Sequence, residues 1–233
     1  MDKQPPEAIS PHLGHRERLR ARFQSGGLTG FAPHEALELL LTYAIPRQDV
    51  NPLAHRLIRH FGGLKGVLEA TEKELQAVPG IGASSAVLIA MLLPLFRMYE
   101  KESLDTKGAG MDPDTLFRHC RNLFLGEKVE HFYVLSLDAK DRLLDSHRIS
   151  SGDEGETAVY PRLIAKELLR TGAVSCVLAH NHPSGTAQPS RADIDLTRAL
   201  KDILSPLSVK LKDHIIIAGA EAYSFKARGL IEF

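Results

Sequence analysis

Through the first hundred or so residues, apolar positions recur at three- and four-residue spacing, the period of helices that bury one face. PHEALELLLTYAI predicts a helix over 33–45 that ends before Pro46. DVNPLAHRLIRHFGG predicts another, with Asn51 as N-cap, Pro52 as the first helical residue, and Gly62 and Gly63 as the stop. LKGVLEA and TEKELQAV read as short helices, the second entered through a Thr71–Glu74 capping box. A glycine turn at 78–82 leads into one apolar helix over 84–98. Upstream, GHRERLRARF is helical with charge all round, since Arg16, Arg18, Arg20 and Arg22 do not share a face, and it reads as a solvated helix. Residues 1–14, with three prolines, read as an arm.

After Pro113 the period changes. DTLFRHCRNLF is helical, but HFYVLSLD and LLDSHRIS alternate on either side of an AKDR turn, the pattern of a hairpin. YPRLIAKELLRTG predicts a helix. AVSCVLAHNH is a nearly continuous apolar strand, as expected of burial on both faces. SRADIDLTRALKDILSPL predicts a further helix, and HIIIAG and AYSF two last strands. The order after the first helix is β-β-α-β-α-β-β. The expected organisation is a helical module over 1–101, a polar, glycine-containing linker over 102–112, and an α/β domain with a mixed sheet over 113–233.

Composition narrows this only a little. Net charge is zero, hydrophobic residues make up 43% and charged residues 25%, so no general attraction to nucleic acid or acidic partners is implied. Two cysteines, Cys120 and Cys176, exclude a Cys-rich zinc finger or a disulfide scaffold, and Cys176 reads as a buried core thiol. The start of the chain is not a basic-then-apolar leader. The longest apolar run, AVLIAMLLPLF, is short for a bilayer and contains Pro94, so no membrane is expected and a cytoplasmic location is.

Two stretches carry candidate chemistry. In LQAVPGIGASSAVLIA, Gly80 and Gly82 let backbone approach a ligand closely, at the positive end of the following helix. The segment over 50–97 resembles tandem helix–hairpin–helix DNA-binding motifs. That likeness implies phosphate contact without sequence preference, with Gly80 and Gly82 at the DNA; the plain alternative is a glycine turn between packed helices. The helix that follows begins without Lys or Arg.

The second stretch is LAHNHPSGTAQPSRAD. In a strand, residues two apart share a face, so His180 and His182 point together and Asn181 points away. Ser190 and Asp193 form a Ser-x-x-Asp capping box, which needs no metal. The same cap would hold a carboxylate rigidly within reach of the histidines, giving two nitrogens and one oxygen, a set that suits zinc with water as fourth ligand.

The spacing over HNHPSGTAQPSRAD resembles the JAMM motif of MPN-domain metalloproteases. Together with PHEALELLL, AIPRQDVNPLA, VPGIG and DHIIIAG, the chain from Gly14 to Phe233 resembles bacterial RadC-family proteins. The resemblance implies a cytidine-deaminase-like MPN/JAB fold, one zinc per chain on His180, His182 and Asp193, and an upstream glutamate as general base. It places that base at Glu130; the residues alone do not choose Glu130 over Glu127. Ser190 would help hold the tetrahedral oxyanion, or only cap its helix. The activity implied is that of a zinc metallopeptidase or isopeptidase acting on an unnamed peptide or protein, with DNA as a partner through the glycine turn. The rival is a DNA-binding repair or recombination accessory protein whose metal site is structural or inactive. Leu163 and Ala227 stand where the family carries acidic residues. His214 falls at a recurrent family position but reads as a strand-start histidine, not a ligand.

Overall fold

The computed structural model describes residues 13–105, 110–151, 159–183 and 185–232; residues 1–12 of the expected arm and 106–109 of the expected linker lie outside them. The chain divides into two compact units, one through Leu95 and the other from Phe96 onward.

The first unit is helical: α1 (Leu13–Gly26), α2 (Pro33–Ala44), α3 (Asn51–His60), α4 (Leu64–Leu68), α5 (Glu72–Gln76) and α6 (Ala83–Ala90), with α7 (Leu92–Asp105) beginning in it. Its core is the apolar stripe of each amphipathic helix, with Leu37, Leu41, Ala54, Leu57, Val67, Leu75 and Ile89 buried together. The Thr71–Glu74 box is formed as expected: Glu74 N–H donates to Thr71 Oγ1 at 3.2 Å, and Thr71 N–H donates to Glu74 Oε2 at 2.7 Å.

Three expectations change. Asn51 is the first helical residue and Val50 takes the cap position, because the Asn51 amide instead donates to buried Glu38 at 2.7 Å. The single helix expected over 84–98 is two, parted at Met91. Pro94 has no N–H to return to the Ala90 carbonyl, and its ring crowds that carbonyl. The second of these helices then runs on to Asp105, so 102–105 are helical where a linker was expected; KESLD contains no Gly or Pro to stop it. Because α6 and α7 nearly abut, Ala83–Glu100 is long and apolar enough to cross a membrane, by length and composition alone. Ser85, Ala86 and Ile89 of that run are nonetheless buried, and Ala86 and Ile89 belong to the helical core.

The charge on α1 is also less free than expected. The Arg16 guanidinium donates to the carbonyls of Thr42 (3.4 Å) and Ile45 (2.9 Å) at the end of α2, where it favours the helix dipole. Arg22 pairs with Glu35 at 2.7 Å, and Arg20 lies 5.1 Å from the Tyr43 ring centroid.

The second unit carries α8 (Pro113–Leu123), β1 (His131–Leu137), β2 (Leu143–Ser151), α9 (Pro161–Thr171), β3 (Ser175–Asn181), α10 (Arg191–Leu204), β4 (Lys210–Ala218) and β5 (Glu221–Ser224). They form a mixed five-stranded sheet in the order β2-β1-β3-β4-β5. Strand β3 runs antiparallel to β1 and parallel to β4, and α10 is the crossover the parallel pair requires. One face of the sheet, with Phe132, Val134, Cys176 and Leu178, packs on Ile164 and Leu168 of α9 and on Leu200 and Leu204 of α10. The other, with Leu135, Leu137, Val177, Ala179, Ile215 and Ile217, packs on Cys120 and Phe124 at α8. Every residue of β3 is buried, as its unbroken apolar pattern predicted.

Both cysteines lie in these layers, one per face, and both are fully buried. Burial pushes the Cys176 thiol up to about 12 and raises that of Cys120 too, because neither site solvates a thiolate. Neither thiol should therefore react with a chromogenic disulfide reagent at pH 8 in the folded protein, while both react within minutes in guanidinium. Fast labelling of either thiol without denaturant would contradict this packing.

Candidate metal centre

The centre sits where β3 ends and α10 begins. His180 is the last but one residue of β3. His182 lies just beyond the strand, yet its N–H still donates to the Ile217 carbonyl at 2.9 Å, so the alternation holds through both histidines. The loop then turns, and Ser190 caps α10. Ser190 Oγ accepts from Asp193 N–H at 3.2 Å, while the Ser190 N–H and hydroxyl donate to Asp193 Oδ2 at 2.7 and 2.6 Å. This reciprocal box is the capping reading made real, and it also fixes the carboxylate. Oδ2 faces the cap, and Oδ1 is left 3.3 Å from His180 Nε2.

His180, His182 and Asp193 each offer a ligand atom, and these atoms all lie within 4.8 Å of one another. The two Nε2 atoms are 3.0 Å apart, and His182 Nε2 is 3.9 Å from Asp193 Oδ2. His182 Nδ1 lies 2.9 Å from the Thr186 carbonyl, which can only accept. The ring proton therefore sits on Nδ1, and Nε2 turns a lone pair toward the centre. A lone pair and a carboxylate oxygen converging beside a second, wholly buried imidazole is an arrangement that a cation relieves. The donors fit a metal. Burial also holds the His180 ring down to about 4, so it is neutral at ordinary pH, as a ligand must be.

Glu130 immediately precedes β1, which pairs with β3 so that Phe132 lies opposite His180. Its half-buried carboxyl is raised above the usual carboxylate range by burial, a shift that the charge of His182 opposes and that of Asp193 adds to. Glu127, which sequence could not separate from it, is otherwise engaged. It pairs with Arg97 at 2.9 Å and meets His131 Nε2 at 3.1 Å. Ser190 is near the centre too, but its hydroxyl proton is directed at Asp193 rather than outward.

Gly80 and Gly82 belong to the first unit. Gly80 has φ +98°, so the turn needs glycine for its backbone, and a Cβ there would also press on Leu53 of α3 at 3.3 Å. Gly82 is the N-cap of α6 and is exposed. Arg56, which the sequence did not single out, donates from Nη1 to the Pro79 carbonyl at 2.6 Å and so brings a cation from α3 to the turn.

Three residues at the centre were given no role by the sequence reading, and His214, expected at a strand start, lies in the middle of β4. His214 Nε2 lies 2.8 Å from His180 Nδ1, and its own Nδ1 lies 2.7 Å from Thr197 Oγ1. Asn181, between the two histidines, points to the other side. Its Oδ1 accepts from His131 N–H at 2.8 Å, and its Nδ2 donates to the Val129 carbonyl at 2.9 Å. Those two backbone groups flank Glu130. The HNH triplet thus alternates candidate ligand, clamp and candidate ligand.

Residues 111–230 match the family model described as a RadC-like JAB domain. A UPF0758 protein of Fusobacterium nucleatum is 37% identical over 226 residues, covering 94% of this chain and 97% of its own. One from Bordetella bronchiseptica is 39% identical over 210 residues, with 90% and 93% covered. One from Ruegeria pomeroyi is 35% identical over 217 residues, with 93% and 97% covered.

The clamp makes a prediction of its own. Asn181→Ala strands the Val129 carbonyl and the His131 N–H at a buried strand start, and should destabilise the fold by about 1–3 kcal/mol. The shift is read as a lowered urea midpoint at unchanged slope. An unchanged midpoint would mean that water replaces the amide freely.

Proposed function

The chain belongs to the RadC family, and on that footing we propose that it is a zinc-dependent hydrolase of amide bonds, a metallopeptidase or isopeptidase, working at His180, His182 and Asp193. The observation that carries this reading is the convergence of two imidazoles and a carboxylate beside a half-buried glutamate. Two nitrogens and one oxygen suit zinc and leave a coordination position open, the pattern of catalytic rather than structural sites. Bound there, zinc would supply Lewis acidity toward a scissile carbonyl and toward water.

The remaining work falls to the chain's own residues. Glu130 takes a proton from the attacking water and returns it to the departing amine nitrogen, a task helped by a carboxyl whose affinity for protons burial has raised. Ser190 holds one oxygen of Asp193 so that the other faces the centre. With its hydroxyl engaged there, orienting Asp193 is the role this reading gives it, ahead of direct contact with an oxyanion.

Freshly purified protein should contain about one zinc per chain, and His182→Ala should lose it while remaining folded. Glu130→Ala should keep its zinc and lose about 100- to 10,000-fold in hydrolysis of whichever member of a peptide and isopeptide panel the wild type cleaves. A wild type that takes up no metal even after zinc is added back overturns the reading.

A second reading has its own observation. The exposed turn at Gly80 and Gly82 with Arg56 beside it resembles a phosphate contact, and Arg56 supplies the charge that the start of α6 lacks. On this reading the protein is a DNA-binding repair or recombination accessory factor with a structural or inactive metal site. Anisotropy titrations with duplex, branched and single-stranded DNA should then show salt-sensitive binding. Arg56→Ala should lower the slope of log affinity against log salt by about 1. Absence of binding to all three forms at low salt rules it out.

A further inference from the structure

We propose that His214 is a positioning residue that fixes which ring nitrogen of His180 carries the proton, through a relay His180–His214–Thr197 that ends on the main chain of Asp193. The proposal rests on the metal-site reading above and extends it beyond the ligands.

The direction of the relay follows from one oxygen that can only accept. Thr197 Oγ1 makes a short contact with the Asp193 carbonyl, one helical turn back. Between a hydroxyl and a carbonyl only the hydroxyl can donate, so its proton points there. Thr197 Oγ1 must then accept from His214, 2.7 Å away, and the His214 proton sits on Nδ1. This leaves a lone pair on His214 Nε2, which accepts from His180 Nδ1 at 2.8 Å. His180 Nε2 is thereby unprotonated and faces His182 and Asp193.

Water does not take over this task. His180, His214 and Thr197 are all fully buried. Phe225 stacks on the His214 ring with centroids 4.7 Å apart, and Phe132 meets its edge at 5.5 Å. The rings leave His214 no freedom to turn and His180 Nδ1 no solvent acceptor. The relay also joins the two ligand-bearing elements, since it begins on a ligand from β3 and ends on the backbone of a ligand from α10.

Two measurements test it. In metal-free, uniformly 15N-labelled protein, long-range 1H–15N correlation should show both His180 and His214 protonated at Nδ1 and bare at Nε2. In zinc titrations against a chromophoric chelator, His214→Phe and Thr197→Val should weaken zinc about 10- to 100-fold, while Thr197→Ser, which keeps the hydroxyl, should bind as tightly as wild type. Circular dichroism identifies variants that fold. If His214→Phe does not, the threonine pair and the wild-type spectrum still decide. A His180 proton on Nε2, or a folded Thr197→Val with wild-type affinity, overturns the proposal. A wild type that binds no zinc instead overturns the metal reading, and the spectrum of the metal-free protein still decides the relay.

Discussion

The chemistry of the second unit hangs on the burial and double pairing of β3. All seven of its residues are buried, and both of its edges are hydrogen-bonded, to β1 on one side and β4 on the other. A strand held this way cannot slip, because a one-residue shift would exchange its two packed faces. Each functional position is then an offset from it. The antiparallel partner begins beside the end of β3, which brings Glu130 to the histidines. The parallel partner demands a crossover that starts near that same end, which brings Ser190 and Asp193 there as the first turn of α10. The parallel register sets His214 opposite Leu178, on the face His180 shares.

That logic explains what the sequence disclosed. The histidine pair and the capping box are local: one is a period of two, the other a spacing of three, and each was legible without knowing what the rest of the chain does. The β-β-α-β-α-β-β order and the mixed sheet were legible for the same reason. His214 and Thr197 were not, since nothing local ties them to His180; only strand register and the packing of α10 do. Asn181 was placed on its correct side by alternation, but its partners, the Val129 carbonyl just before β1 and the His131 N–H at its start, are distant in sequence. The residues alone did not separate Glu130 from Glu127, and the Arg97 pairing that sets their surroundings apart is a tertiary contact. In two places where local patterns misled, tertiary contact had intervened. Asn51 makes a side-chain bond to Glu38 instead of capping, and Arg16 and Arg22 of α1 bond to α2, Arg22 while still exposed to solvent.

Burial then gives the centre its electrical character. It acts on the two kinds of group in opposite senses, raising the Glu130 carboxyl toward its neutral acid and lowering the His180 ring toward its neutral base. Without a cation, both shifts lessen the charge that the site must hold. The imidazole shift costs little to metal binding, since a ligand histidine must be neutral in any case and His180 is neutral at any pH well above about 4. The carboxyl shift is different. It keeps Glu130 a better proton acceptor than an exposed glutamate, while its neighbour Asp193, anchored by the helix cap, stays committed to the centre. The two carboxylates thus differ in setting: one is fixed by hydrogen bonds and the other is half-buried beside it. A raised carboxyl beside one that hydrogen bonds hold in place is the feature on which the proposed hydrolytic reading rests.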